Sequence, residues 1–240
     1  CCSATSWSVN KLINNHGGLH NRLTNKIHLQ PFTLSECEQY SEANHLGMSR
    51  YQLVENYMIM GGIPFYWSLL KKEFSQPQNI DTLFFSDNVE GLSHEYEQLY
   101  ASLFNHPEPY IQVVTALATK NKGLNRDEIV STTGIKSCGD LTRYLNELEW
   151  CGFIRKYNCI GKLAKDALFQ LTDNFTIFYF HYIKGNKNND THFWTNNIGS
   201  PLHRTWSGIA FERVCLLHVK QIKAALGISG VLSNVYSWQT

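Results

Sequence analysis

The sequence predicts a mainly helical fold with a small amount of β-structure. Helix-start signals recur along the chain, and apolar residues return at helical spacing between about 34 and 150. The clearest alternating runs after that point are two neighbouring short ones that follow Gly152. Period 3.6 marks amphipathic helices, and period 2 marks half-buried strands.

The elements follow in order. SWSVNKLIN (6–14) reads as a short helix with Trp7, Val9, Leu12 and Ile13 on its apolar side, and His16-Gly-Gly-Leu breaks it. Lys26-Ile-His-Leu-Gln alternates as a strand until Pro31 stops it. Thr33-Leu-Ser-Glu36 has the capping-box pattern, in which hydroxyl and carboxylate each satisfy a free amide at a helix start. A helix over about 34–43 follows, then one over 50–60 capped by Ser49 and closed by Gly61-Gly62 in a left-handed cap. Pro64 opens another over FYWSLLKKEF, and EYEQLYASLF makes an amphipathic helix ending near 104. Beyond His106-Pro-Glu-Pro109 come YIQVVTALATK, then RDEIVSTTG capped by Asn125, then CGDLTRYLNELEWCG capped by Ser137. Gly134 sits in the turn between the last two. FIRKYN and ALFQLT form strands joined by the polar GKLAKD. Helix, helix, turn, helix and a basic hairpin is the order of a winged helix-turn-helix. NFTIFYFHYIK (174–184) is aromatic and of buried type, 185–200 reads as a linker, SGIAFERVCLLHVKQIKAALG as a helix and VLSNVYSW as strand-like.

Composition narrows the function classes. The formal net charge of +1 is uninformative, but its distribution is blocked. Residues 1–31 carry three basic and no acidic side chains, 32–104 three basic and ten acidic, 105–175 nine and eight, and 176–240 six and two. Such blocks suggest modules in different surroundings, although solvated faces alone produce the same pattern. Seven irregularly spaced cysteines fit a reducing cytoplasm better than a disulfide framework. No apolar run approaches the roughly 20 residues of a membrane span, and no secretory leader pattern is present. The expected location is the cytoplasm, with no membrane partner.

Among motifs, Gly134-Ile-Lys-Ser-Cys-Gly139-Asp140-Leu141 has the glycine spacing of a phosphate-binding loop. Asp140 and Leu141 stand where that loop needs Lys and Ser/Thr, so the string reads as the turn entering a helix. His16 and His20 flank two glycines and do not share a helical face. The chain contains no Cys-x-x-Cys, His-Glu-x-x-His or Gly-x-Ser-x-Gly motif, and so lacks the familiar zinc and nucleophile signatures. On the third helix of the winged pattern Leu141, Leu145 and Leu148 face the core, leaving Thr142, Arg143 and Asn146 outward. With Lys136 at the entry and Lys156, Lys162 and Lys165 on the wing, these types suit phosphates and base edges of double-stranded DNA. Glu147 and Glu149 dilute that face, and winged helices also dock proteins, so both partners remain open.

The strings Ser3-Ala-Thr-Ser-Trp, HGGLHNRLTNKIHLQPFTLSECEQY and GGIPFYWSLL together resemble the archaeal-type AAA-like P-loop ATPases, relatives of the signal-transducing NTPases. The resemblance extends over essentially the whole chain. It implies the end of an ATPase core (1–31), a helical lid (32–105), a winged helix (106–184), and a linker with the start of a restriction-endonuclease-like α/β domain (185–240). It also implies ATP and Mg2+ as cofactors of a longer parent protein, of which this chain is a middle piece. Ser3 or Thr5 would then lie near the γ-phosphate as sensor residues, and Arg22 would stabilise transferring phosphoryl charge. Cys2 stands where members usually carry Gly. Glu212, in Gly-Ile-Ala-Phe-Glu, would be one metal-binding carboxylate of the nuclease-like domain, whose further carboxylates would follow Thr240. Structural roles for Arg22 and Glu212 are the plain alternatives. The expectation is an ATP-dependent regulatory or defence-type protein acting on DNA, this chain itself not hydrolysing ATP. The rival is a non-enzymatic adaptor whose winged helix docks a protein partner.

Overall fold

The computed structural model describes residues 28–86, 92, 94–158, 166–186 and 190–232. The chain is mainly helical with one two-stranded antiparallel sheet among the described residues. It divides into two compact units, one joining Leu29–Glu95 to Asn174–Ser233 and the other containing Tyr96–Asp173. The cuts fall at 95/96 and 173/174, where the sequence reading placed them at 105/106 and 184/185. The reason for the second is packing: the aromatic segment after 174 buries itself within the unit of residues 29–95. The helix at 6–14, most of the 26–30 strand and most of the run 231–238 lie outside the described residues, and 28–30 carry no regular structure.

In the discontinuous unit, α1 (Leu34–Ala43) starts at Thr33 and α2 (Arg50–Met60) at Ser49, each through a capping box. α2 is the hub, with Leu53 and every residue from Glu55 to Met60 buried. Among its polar members, Asn56 Oδ1 accepts from Gln76 Nε2 at 2.9 Å, while Glu55 lies at ion-pair distance, 3.3 Å, from His203 Nε2. The Asn56 bond matters because an unpartnered buried polar group costs more than a made hydrogen bond gains.

The glycines after α2 have separate jobs. Gly61 has φ +63° and ψ −158°, a positive-φ conformation that is not the left-handed helical cap expected. Its carbonyl accepts from Trp67 Nε1 at 2.8 Å. Gly62 lies against backbone: Phe32 N donates to its carbonyl at 2.7 Å, and a Cβ at 62 would stand 1.9 Å from the Phe32 oxygen. QPF and GGIP are thus one structural device.

α3 spans only Pro64–Ser68, shorter than the run expected after Pro64. Asn79 captures the chain beyond it, accepting from Lys71 N and donating to Lys71 O at 2.8 and 2.9 Å. Asn79 itself belongs to α4 (Gln76–Phe84), a helix the sequence reading left unassigned. After the second segment enters, α9 (Asn174–Phe178) continues into one π-helical turn, Tyr179–Ile183. α10 (Phe193–Asn197) lies within the expected linker, and α11 (Pro201–Leu217) and α12 (Val219–Ala225) replace the single helix expected there. The break falls at His218, whose Nε2 accepts from Leu34 N at 3.0 Å while Nδ1 lies 2.8 Å from the Val214 carbonyl. The core is an aromatic cluster: Phe178, Tyr182, Trp194 and Trp206 lie with ring centroids 5.1 to 5.8 Å apart, several pairs edge to face. That geometry suits the ring quadrupoles.

In the second unit, α5 (Glu95–Leu103) leads to α6 (Glu108–Ala118), α7 (Arg126–Thr133) and α8 (Gly139–Trp150). β1 (Ile154–Tyr157) and β2 (Leu168–Leu171) pair with Ile154 opposite Leu171 and Tyr157 opposite Leu168. Gly134 closes α7 with φ +72° in the left-handed region, as the turn requires. Leu124 adds a bridge to Phe169, with mutual hydrogen bonds of 2.9 and 2.8 Å, so the α6–α7 connection extends the sheet.

Candidate nucleic-acid interface

The candidate interface is the outward side of α8, and its position follows from the inward one. Leu141, Leu145 and Leu148 are buried in the unit's core, at the i, i+4, i+7 spacing of one helical face. Behind them Tyr110 donates from its hydroxyl to the buried Glu147 carboxylate and stacks on Phe104 at 3.8 Å. Burial first, and the adjacent Glu147 carboxylate second, push the Tyr110 phenol well above its usual range, so it remains a donor. This seam fixes the helix rotation and turns Thr142, Arg143 and Asn146 to solvent, all three exposed.

Lys136 is exposed in the turn before α8, and Lys156 is exposed on β1. The Lys156 backbone N–H donates to Glu149 Oε1 at 3.0 Å, and its Nζ sits 5.9 Å from the Phe169 ring centroid. The Arg143 Nη2 is 3.0 Å from Asp140 Oδ1, and its guanidinium lies 5.0 Å from the Tyr144 ring centroid. Lys136, Arg143 and Lys156 are thus exposed cations, of which Arg143 is already paired with Asp140. Lys162 and Lys165 lie outside the described residues.

The start of α8 differs from expectation. The N-cap is Cys138, not Ser137, and it makes no side-chain capping bond. Ser137 lies one residue before that cap, and its Oγ accepts from Arg126 Nε at 3.0 Å. Arg126 Nη2 also donates to the Cys138 carbonyl and to Thr142 Oγ1, each at 3.0 Å. Sequence reasoning passed over Arg126, although it carried a signal. The residue directly follows the Asn125 cap, and a cation in a helix's first turn opposes the macrodipole. Asn125 itself caps α7 as expected, in a capping box with Glu128. The Lys120 side chain and the Asn125 backbone N–H hold the Glu128 carboxyl below its usual value.

Ser3, Thr5 and Arg22 lie outside the described residues. Glu212 is exposed on α11, and no group of three or more His, Cys, Asp or Glu able to hold a metal occurs among the described residues. No described helix is long and apolar enough to cross a membrane.

No family model matches the chain, and no solved structure matches it. Among curated proteins it is 27% identical over 191 residues to the uncharacterized protein MJECL04 of Methanocaldococcus jannaschii. That alignment covers 75% of this chain and 39% of the archaeal protein, so the chain spans about two-fifths of its relative's length.

Proposed function

We propose that residues 106–173 form a winged helix that binds duplex DNA within an ATP-dependent regulatory or defence-type protein of the AAA-like P-loop class, located in the cytoplasm. The observation that carries the DNA reading is the exposed α8 entry, where Lys136, Arg143 and Asn146 stand clear of a buried leucine seam with Lys156 on β1. Cations there neutralise phosphates and release counterions, and Asn146 offers both a donor and an acceptor to a base edge. The remaining assignments, a helical lid over 32–105 and a nuclease-like start after 185, rest on the family resemblance.

ATP and Mg2+ belong to the parent protein in this reading. The described residues do not fit them: Gly134–Leu141 carries Asp140 and Leu141 in place of the Lys and Ser/Thr of a nucleotide loop, and no metal-competent cluster is present among them.

The Arg143–Asp140 pair supports a second reading, a protein-docking module in a non-enzymatic adaptor, because it pre-neutralises the one arginine on the outward face. The two are separated by duplex-DNA binding across a salt series, with an Arg143→Ala/Lys162→Ala variant alongside. A steep dependence of affinity on salt that the variant flattens, by about 0.9 in log–log slope per lost phosphate contact, supports DNA. Absence of binding at low salt refutes it and leaves the docking reading.

A further inference from the structure

We infer that Arg126 is the positioning residue of the DNA-contacting helix, and that Thr142 is the far end of its clamp and not a base-reading group. The inference rests on the DNA reading of α8 given above. Its basis is the way the α8 N-terminus is held.

A helix ordinarily begins on a side-chain oxygen that takes up one of its free first-turn amides. At α8 the cap position is a cysteine that makes no such bond. The first backbone bond is long as well, with Thr142 N 3.4 Å from the Cys138 carbonyl. Left to itself this end would fray, and it is the end that presents Arg143 and Asn146.

The Arg126 guanidinium supplies the missing restraint from a neighbouring helix. One side chain on α7 reaches three acceptors: Ser137 Oγ before the cap, the Cys138 carbonyl at the cap and Thr142 Oγ1 one turn in. Those acceptors lie on both sides of the helix start, so the clamp fixes the axis and the rotation of the first turn together. Arginine suits this task because its planar fork is pre-organised, whereas a lysine offers a single point of attachment. The Thr142 hydroxyl accepts from Arg126 and lies 3.5 Å from the Cys138 carbonyl, so its hydrogen-bonding capacity is turned toward the helix start. Specific readout falls instead to Asn146 and Arg143.

The test is duplex-DNA binding by the full 240-residue chain in a salt series, for wild type, Arg126→Ala, Arg126→Lys, Thr142→Val and Arg126→Ala/Thr142→Val. Thermal unfolding of the same proteins confirms that each is folded. A positioning role predicts that Arg126→Ala weakens binding about tenfold, the worth of roughly one hydrogen bond. The salt slope stays at the wild-type value, because no phosphate contact is lost. Lysine does not restore affinity, and the double variant is no weaker than Arg126→Ala alone. A slope reduced by about 0.9 in Arg126→Ala would make Arg126 a phosphate contact and overturn the inference. So would unchanged affinity, or additive losses in the double variant. If the wild-type chain fails to bind at low salt, the DNA reading is what falls, and this inference falls with it.

Discussion

Asp81 sits on α4, yet its carboxylate holds an element more than a hundred residues later. Oδ1 accepts from Trp194 N at 2.7 Å, and Oδ2 accepts from Thr195 N at 3.2 Å and from the Thr195 hydroxyl. Asp81 is only 5% exposed and Trp194 is fully buried, so water cannot easily replace the lost acceptors. Asp81→Ala removes all three bonds and strands the buried Trp194 amide at the start of α10, while the exposed Thr195 can turn to water. A stranded buried donor costs about 1–3 kcal/mol and the two lost Thr195 bonds add to it, so the expected loss is about 2–4 kcal/mol. Asp81→Asn keeps one carbonyl oxygen for Trp194 N and turns an amide toward Thr195, for a loss of about 1–2 kcal/mol. Urea denaturation followed by far-UV circular dichroism measures both, with the midpoint falling at constant slope. If Asp81→Ala unfolds within about 0.5 kcal/mol of wild type, the packing argument for this unit is wrong.

Gly62→Ala should be among the most damaging single-methyl changes, because its Cβ would sit 1.9 Å from the Phe32 carbonyl oxygen; the expected outcome is loss of soluble folded protein on expression. Gly123→Ala meets the Phe169 oxygen at 2.3 Å with φ +87°, and should lower the melting temperature while breaking the Leu124–Phe169 bridge, seen as faster amide exchange at both residues. Leu145→Ala opens the seam beneath the candidate interface and should cost about 2–5 kcal/mol in denaturant unfolding. For Glu128 the folded pKa is lowered from 4.5, first by the Lys120 bond and then by the Asn125 amide, so its contribution is present above about pH 4.5 and is lost as pH falls through the folded value. Melting curves of Glu128→Gln and wild type should differ near neutrality and converge in acid; a gap independent of pH would rule out the charge as its cause.

Features set by a few neighbouring residues were legible in the sequence. The Thr33/Glu36 capping box, the Ser49 and Asn125 caps, the Gly134 turn and the leucine spacing of α8 all depend on local backbone geometry. The hairpin was legible too, from two alternating runs. What escaped is set by groups distant in sequence. α3 stops early because Asn79 takes both backbone groups of Lys71. The helix after Ser200 breaks where the His218 ring reaches Leu34. At the candidate interface Lys136, Arg143 and Asn146 were legible as outward types. Ser137 is not the cap, which falls on Cys138, and its oxygen instead meets a guanidinium eleven residues earlier. The reason for Gly62 is likewise invisible locally, since the backbone it accommodates is thirty residues away.

The interleaving of the two units has a consequence for how the protein is made. α2 draws its partners from both sides of the 96–173 stretch: Asn174 Nδ2 donates to the Tyr57 carbonyl at 2.7 Å, and His203 meets Glu55. On the ribosome the whole of Tyr96–Asp173 is made before those partners exist. The hub helix must wait, its buried side chains uncovered, until α9 and α11 emerge. A chain cut near residue 180 would thus leave the hub helix without α11, its buried side chains an adhesive surface.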